Sequence, residues 1–199
     1  MKVDYTPRSE VSPEAAKAAT GRTLEQWYGV LDAKGGASEG RRVLTEYLFR
    51  QLKVDAWWTT TIIVEYEKAR GIAEKDGLPK GYNICVTKAL TVTPERAVDE
   101  FADGSWWLGK GAKVVEGGTF DAGGGHKGRF KKVTPGKLIR FTWEGPGHAP
   151  VEVIDIKAIV TAGKTSLTIN HDRLQSRDTA DGMREAWAKV LNELKDRLS

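Results

Sequence analysis

Residues 123–144 read GGGHKGRFKKVTPGKLIRFTWE, and their alternation decides what kind of fold this chain adopts. Over 126–133 and again over 138–144, polar and apolar side chains alternate with the period of a strand that buries one face. Between these runs lies Thr134-Pro135-Gly136-Lys137. Proline presets φ and glycine supplies the positive φ of a tight reversal, so the two runs read as an antiparallel hairpin.

The glycines upstream raise a nucleotide question. GGTFDAGGGHKG, residues 117–128, is rich in glycine and carries a lysine. A phosphate-binding loop needs G-x-x-x-x-G-K-[ST] between a strand and a helix. Here His126 precedes Lys127, Gly128 follows it, and RFKKV continues as a strand. No helix N-terminus therefore faces a phosphate, and the G-x-G-x-x-G dinucleotide pattern fails on the same ground. The glycines are read as a bulged hairpin turn.

The same logic extends outward. YNICVTKALTV places Ile84, Val86, Leu90 and Val92 on one strand face. Thr93-Pro94 then opens a helix with Val98 and Phe101 pointing inward. Further strands are expected over 113–120, 151–160 and 165–172, with a GPGHAP loop and an AGK turn among the connections. From Thr179 the period becomes helical: Met183, Trp187, Val190, Leu191, Leu194 and Leu198 form one stripe. A strand, a helix, five strands and a long helix predict an α+β fold, with an antiparallel sheet covered by its final helix.

Before residue 78 the spacing is helical. Thr23 and Gln26 fit a capping box ahead of Leu24, Trp27, Tyr28 and Leu31, and Gly35-Gly36 ends that helix. Ser38 is expected to cap the next, with Val43, Leu44, Tyr47, Leu48 and Leu52 as its apolar positions. Asp55 caps a third through Trp58, Ile62, Tyr66 and Ala69, stopping at Gly71. With a stub near Ser12-Pro13 these make an all-α bundle. EKDGLPKG, residues 74–81, reads as the joint, so the domains are expected at 1–77 and 82–199.

Composition narrows the function. The chain has 199 residues, 40% of them hydrophobic and 29% charged, with a net charge of +4. Neither half concentrates the positive excess that phosphate backbones attract, so no nucleic-acid partner is expected. No run approaches the roughly 18 apolar residues of a membrane span, and the polar N-terminus lacks the apolar stretch of a secretory signal. Cys85 is the one cysteine, which suits a reducing cytoplasm. His126, His148 and His171 lie apart without metal-type spacing, and there is no G-x-S-x-G. Neither a metal nor another cofactor is expected, and no catalytic residue is assigned. Cys85, mid-strand, is expected to pack. A helix-turn-helix reading of the first half fails because DAWWTTTIIVEYEKARG lacks a basic excess.

TVTPERAVDEFAD, SWWLG, GGGHKGRFKKVTPGKLIRFTWE, KTSLTINHDRL and GMREAWAKVLNELKDRL, in that order, resemble a START-like (SRPBCC) domain of the type related to the activator of the heat-shock protein 90 ATPase. The resemblance covers about residues 82–199. The first half is similar to a small helical domain of unknown function that occurs alone or ahead of START-like domains. The resemblance implies a helix-grip, in which an antiparallel sheet curls around a long C-terminal helix and leaves a cavity. It also implies relatives that bind lipids, cyclise polyketides or activate chaperones, with no universal catalytic motif to carry over.

On that fold, strand parity nominates the lining: Leu90, Val114, Phe120, Phe130, Ile139, Phe141, Trp143, Ile154, Ile156, Leu167 and Ile169, faced by Met183 and Trp187. Lys88 and His171 share this parity, with Glu116 as the partner one of them needs and His171 near a strand end that water reaches. Trp106 and Trp107 are expected by the cavity mouth, where one indole could stack on a ligand. The expected ligand-contacting set is therefore Lys88, Trp106, Trp107, Phe120, Phe130, Phe141, Trp143, His171, Met183 and Trp187. Lys127, Arg129, Lys131 and Lys132 form a basic strand, mostly a solvated face. The leading expectation is a small apolar or amphipathic ligand bound without catalysis. A chaperone-activating or regulatory protein-interaction module stands second, and a cyclase- or hydrolase-like enzyme using Lys88 or His171 third. The Trp57-Trp58 pair is compatible with a contact between domains or in a homodimer.

Overall fold

The computed structural model describes residues 11–109, 111–146, 150–161 and 163–199. His148, in the expected GPGHAP loop, and Ala162, in the AGK turn, lie outside the described residues. The chain divides into two units between Tyr82 and Asn83.

The first unit is helical: α1 (Pro13–Thr20), α2 (Leu24–Ala33), α3 (Gly40–Glu46) and α4 (Ala56–Ala69). Each boundary follows from local chemistry. Ser12 accepts from the Ala15 amide to cap α1, and Gly21 closes it in the left-handed region. Thr23 and Gln26 complete a reciprocal capping box on α2, and Asp55 accepts from the Trp57 and Trp58 amides to start α4. Ala16, Leu24, Trp27, Leu31, Leu44, Leu48, Val54, Ile62, Ile63 and Tyr66 pack as one core.

Two expectations fail in the middle of this unit. Ser38 does not cap α3; its hydroxyl donates back to the Gly35 carbonyl at 2.6 Å, inside a 3₁₀ turn over Gly36–Glu39. Val43 and Leu52 are exposed while Leu44 and Leu48 are buried. Val43 stands one residue off the Leu44–Leu48 face, and the π turn over Tyr47–Gln51, with its wider winding, turns Leu52 off the same face.

The second unit holds β1 (Tyr82–Leu90), α5 (Pro94–Ala102), β2 (Thr119–Gly123), β3 (His126–Thr134), β4 (Leu138–Glu144), β5 (Glu152–Thr161), β6 (Lys164–Leu174) and α6 (Arg177–Arg197). The strands form one sheet in the order β1-β6-β5-β4-β3-β2, antiparallel at each step from β2 to β6. This is the α+β helix-grip architecture. Its inner face is mostly apolar, with Phe130, Phe141, Ile154, Ile156, Leu167 and Ile169 all buried as parity required. Ser176 caps α6 by accepting from the Thr179 amide, and Met183, Trp187, Val190, Leu191 and Leu194 make its buried stripe.

Two further corrections concern this unit. The strand expected over 113–120 is confined to Thr119–Gly123. Gly117 takes φ 80°, and the chain turns there, although Gly117 and Gly118 still bond Phe130 of β3 through their backbones. Cys85 does not pack; it is exposed, because Ile84 takes the inward position and alternation sends its neighbour out.

Candidate functional site

Two cross-strand rows assemble the interior of the second unit. In one, Phe130 pairs with Phe141, Phe141 with Ile154, and Ile154 with His171. In the other, Phe120 pairs with Gly128, Gly128 with Trp143, and Trp143 with Glu152. Gly128 is the enabling residue of that second row. A Cβ there would lie 2.0 Å from the Thr142 carbonyl oxygen and 2.5 Å from Phe120 Cζ, so only glycine lets the Phe120 ring lie over the strand. Phe120 then reaches Phe130 at 5.2 Å and Trp143 at 5.5 Å between ring centres.

Helix α6 lowers Trp187 onto these rows. Its ring centre lies 5.9 Å from Trp143, 6.3 Å from Phe141 and 5.9 Å from Trp107, within the tilted and edge-on range that aromatic pairs favour.

Within this aromatic interior sits a polar string. His171 Nε2 and Glu152 Oε2 are 2.8 Å apart, and Trp187 Nε1 donates to His171 Nδ1 at 3.2 Å. On the neighbouring strands Trp143 Nε1 donates to His126 Nδ1 at 3.1 Å. His171 and Glu152 are 0% and 1% exposed. A histidine paired with a carboxylate has the composition of an acid–base dyad. Here, however, Glu152 and Trp187 engage the two ring nitrogens, and no face of the ring meets solvent.

Of the ten expected ligand-contacting residues, this interior brings together Trp107, Phe120, Phe130, Phe141, Trp143, His171, Met183 and Trp187. All eight are buried, and the rings among them contact one another. Lys88 and Trp106 stand apart from it. Lys88 Nζ donates to Asn192 Oδ1 of α6 at 2.5 Å. Trp106 donates to the Glu100 carbonyl at 3.0 Å and lies under the Arg197 guanidinium at 5.2 Å. Trp107 turns inward, bonding the Phe101 carbonyl at 3.1 Å.

Two sequence expectations are corrected. Glu116 is the partner of neither Lys88 nor His171; its carboxylate accepts from the Val133 amide at 3.4 Å. His171 is not open to water at a strand end, because α6 closes over it. Sequence reasoning missed Glu152 and His126 as members of the string. The signal was present: Glu152 is in step with Ile154 and Ile156, and His126 with Gly128 and Phe130, so parity sends both inward. Among the described residues no group of three or more His, Cys, Asp or Glu side chains could hold a metal ion.

Outside the interior, Lys127, Arg129, Lys131 and Lys132 are exposed. Lys127 and Glu144 border two open surface grooves of about 470 and 430 Å³. No described helix is long and apolar enough to cross a membrane.

Residues 89–199 match the profile of a family described as Activator of Hsp90 ATPase homolog 1-like protein. No curated protein matches the chain. Among solved structures, the Aha1 dimer from Colwellia psychrerythraea aligns with a TM-score of 0.51 at 22% identity, over 59% of this chain and 96% of that one. DynU16, described as a putative protein in the dynemicin biosynthetic locus, aligns with a TM-score of 0.50 at 18% identity, over 58% of this chain and 46% of its own. CalU16 from Micromonospora echinospora gives 0.49 at 15% identity, over 58% and 74%. At these identities the first two alignments show a shared fold, and a fold hosts many functions.

Proposed function

The chain belongs to the Activator of Hsp90 ATPase homolog 1-like family, and from that premise we propose that its second unit is a non-catalytic module acting on a protein partner through its surface. One observation carries this reading. Phe130, Phe141, Trp143, His171, Met183 and Trp187 are each 0% exposed, so a water-sized sphere touches none of them. A ligand site of ordinary size, about 300 Å³ or more, has no space against these side chains. Capture on the tagged full chain from lysate of the source cells, with intrinsic tryptophan fluorescence during titration with fatty acids and polycyclic aromatic compounds, tests it. A stable protein partner and no saturable fluorescence change are expected. Saturable binding of a small molecule by a chain that recovers no partner overturns it.

A second reading, enclosure of a small amphipathic ligand between sheet and helix, draws on the Glu152–His171 pair. Groups able to carry charge are costly to bury even when paired, and a polar anchor within aromatic walls is what such a ligand uses. On this reading the rings around Trp187 separate on binding, and the same titration distinguishes the two.

A further inference from the structure

The β5–β6 hairpin ends in an apolar tip that neither reading above employs. Ile159 and Val160 are 56% and 62% exposed, the highest values among the large apolar side chains described in the second unit. Successive strand residues point to opposite faces, so Ile159 and Val160 offer apolar surface on both faces of β5 instead of one. The ladder continues to its end: Ile159 faces Ser166, Val160 faces Thr165 and Thr161 faces Lys164. The Thr165 hydroxyl also donates to the Val92 carbonyl. The two strands are therefore a braced ribbon as far as that last pair.

The charge on the two strands next to the turn is positive. Lys157 and Lys164 are exposed on the two strands, and residues 156–171 contain no aspartate or glutamate. Asp155, just before, is held by Arg140 through bonds of 2.6 and 2.7 Å. Lys137 is exposed in the neighbouring β3–β4 turn, next to Leu138, which pairs with Lys157. Of the acidic residues by that turn, Asp99 accepts from the Gly136 amide at 2.8 Å, while Glu95 lays only its carbon stem against Gly136 and is exposed beside the equally exposed Arg96.

We infer that this tip docks on an anionic lipid surface, with Ile159 and Val160 entering the headgroup boundary and Lys137, Lys157 and Lys164 meeting the lipid charges. A protein partner fits less well. Two side chains on a convex tip offer far less than the roughly 1,000 Å² of a stable protein interface. They also face opposite ways, which a fluid interface covers and a rigid surface does not. Basic residues beside an anionic leaflet add attraction that falls off within a Debye length, so the contact is reversible and salt-sensitive.

The test is sedimentation of the full chain with two kinds of vesicle: phosphatidylcholine alone, and vesicles with about a third of the lipid as phosphatidylserine. Binding to the second kind only, abolished by high salt, is expected. The double variants Ile159→Ser with Val160→Ser, and Lys157→Glu with Lys164→Glu, each weaken it about tenfold or more, with unchanged circular dichroism. If a variant unfolds, Lys157→Gln with Lys164→Gln replaces it. No binding to either vesicle, equal binding to neutral vesicles, or full binding by the variants overturns the inference. So does binding to soluble polyglutamate without binding to vesicles, which assigns the tip to an acidic protein.

Discussion

Trp187 donates its indole N–H to Nδ1 of His171 across 3.2 Å, and that bond fixes the tautomer of the histidine. The indole nitrogen is a donor only, so the ring nitrogen facing it is the bare one. The proton of the neutral imidazole then sits on Nε2 and points to Glu152 Oε2, 2.8 Å away. Three side chains thereby tie α6 to β6 and β5 in a place without solvent. The Trp143–His126 bond repeats the device between β4 and β3.

Replacing Trp187 by phenylalanine keeps a ring among Trp143, Phe141 and Trp107 but removes the donor. A buried acceptor that loses its donor costs about 1–3 kcal/mol, and the smaller ring adds a packing loss. Urea unfolding of the Trp187→Phe chain is expected to show a lower midpoint with an unchanged slope. A double-mutant cycle with His171→Leu is expected to show coupling of about 1 kcal/mol between the two positions. Additivity in that cycle would mean the bond contributes nothing.

Gly128 gives a harsher case. An alanine methyl at this position must displace either the Thr142 carbonyl or the Phe120 ring, and neither is the free end of a flexible side chain. Gly128→Ala is expected to cost at least about 3 kcal/mol. Gly124→Ala is the control. Its φ of 62° makes a side chain strained, but the nearest atom a methyl would meet is His126 Cδ2 at 3.7 Å, so the cost is about 1 kcal/mol. Thermal unfolding of the two variants side by side orders them.

Much of this was legible in the sequence because period two and period 3.6 are consequences of geometry. The alternation over 126–133 and 138–144 placed Phe130, Phe141 and Trp143 inward, and the stripe on α6 placed Met183 and Trp187 opposite. The same rule reached Lys88 and His171 but not their partners. Asn192 lies 104 residues from Lys88, and Glu152 lies 19 from His171. Cross-strand register and helix rotation decide those meetings, and neither is written in local pattern. The extent to which rings fill the grip was equally hidden. It depends on the sub-ångström fit of Phe120 over Gly128 and of Trp187 among its neighbours, which composition does not encode.

In the first unit, Arg41 binds Glu67 through both carboxylate oxygens, with Arg41 Nε to Oε1 at 2.9 Å, and also donates to the Gly81 carbonyl at 3.0 Å. Glu67 is 6% exposed, beside a small cavity of about 70 Å³ that Arg41, Lys80 and Tyr66 help to line. Arg41→Ala removes the partner and leaves the carboxylate buried, which costs about 3 kcal/mol. Arg41→Ala with Glu67→Leu removes both groups and is expected to recover most of that loss, as read by denaturant unfolding. A single variant as stable as the parent would show that water in the cavity solvates Glu67 adequately.

The last prediction concerns acid. Asp32, at the end of α2, accepts from Arg70 at 2.5 Å and from the Tyr66 hydroxyl at 2.7 Å. The guanidinium first, and the phenol second, hold its carboxyl below the usual carboxylate range. A carboxyl whose folded pKa is depressed favours the folded state above its unfolded value, about 3.9. That contribution disappears as pH falls through the lower folded value. The clasp between α2 and α4 is therefore intact at neutral pH; its stabilisation fades below about pH 4, where the unfolded carboxyl takes up its proton, and the clasp itself opens only at the lower folded value. Asp32→Asn is expected to be less stable than the parent at pH 7, and the two stability curves are expected to converge as the solution is acidified. The alkaline side behaves oppositely. Burial, then Glu65 and Glu25, push the Tyr28 phenol up to about 12, so its contribution is complete below about pH 10 and declines as pH rises toward 12. Tyr28→Phe removes that alkaline decline and leaves the acid limb untouched. Denaturant unfolding across the pH range measures both limbs, and parallel curves for Asp32→Asn and the parent at low pH would place the acid-sensitive group elsewhere.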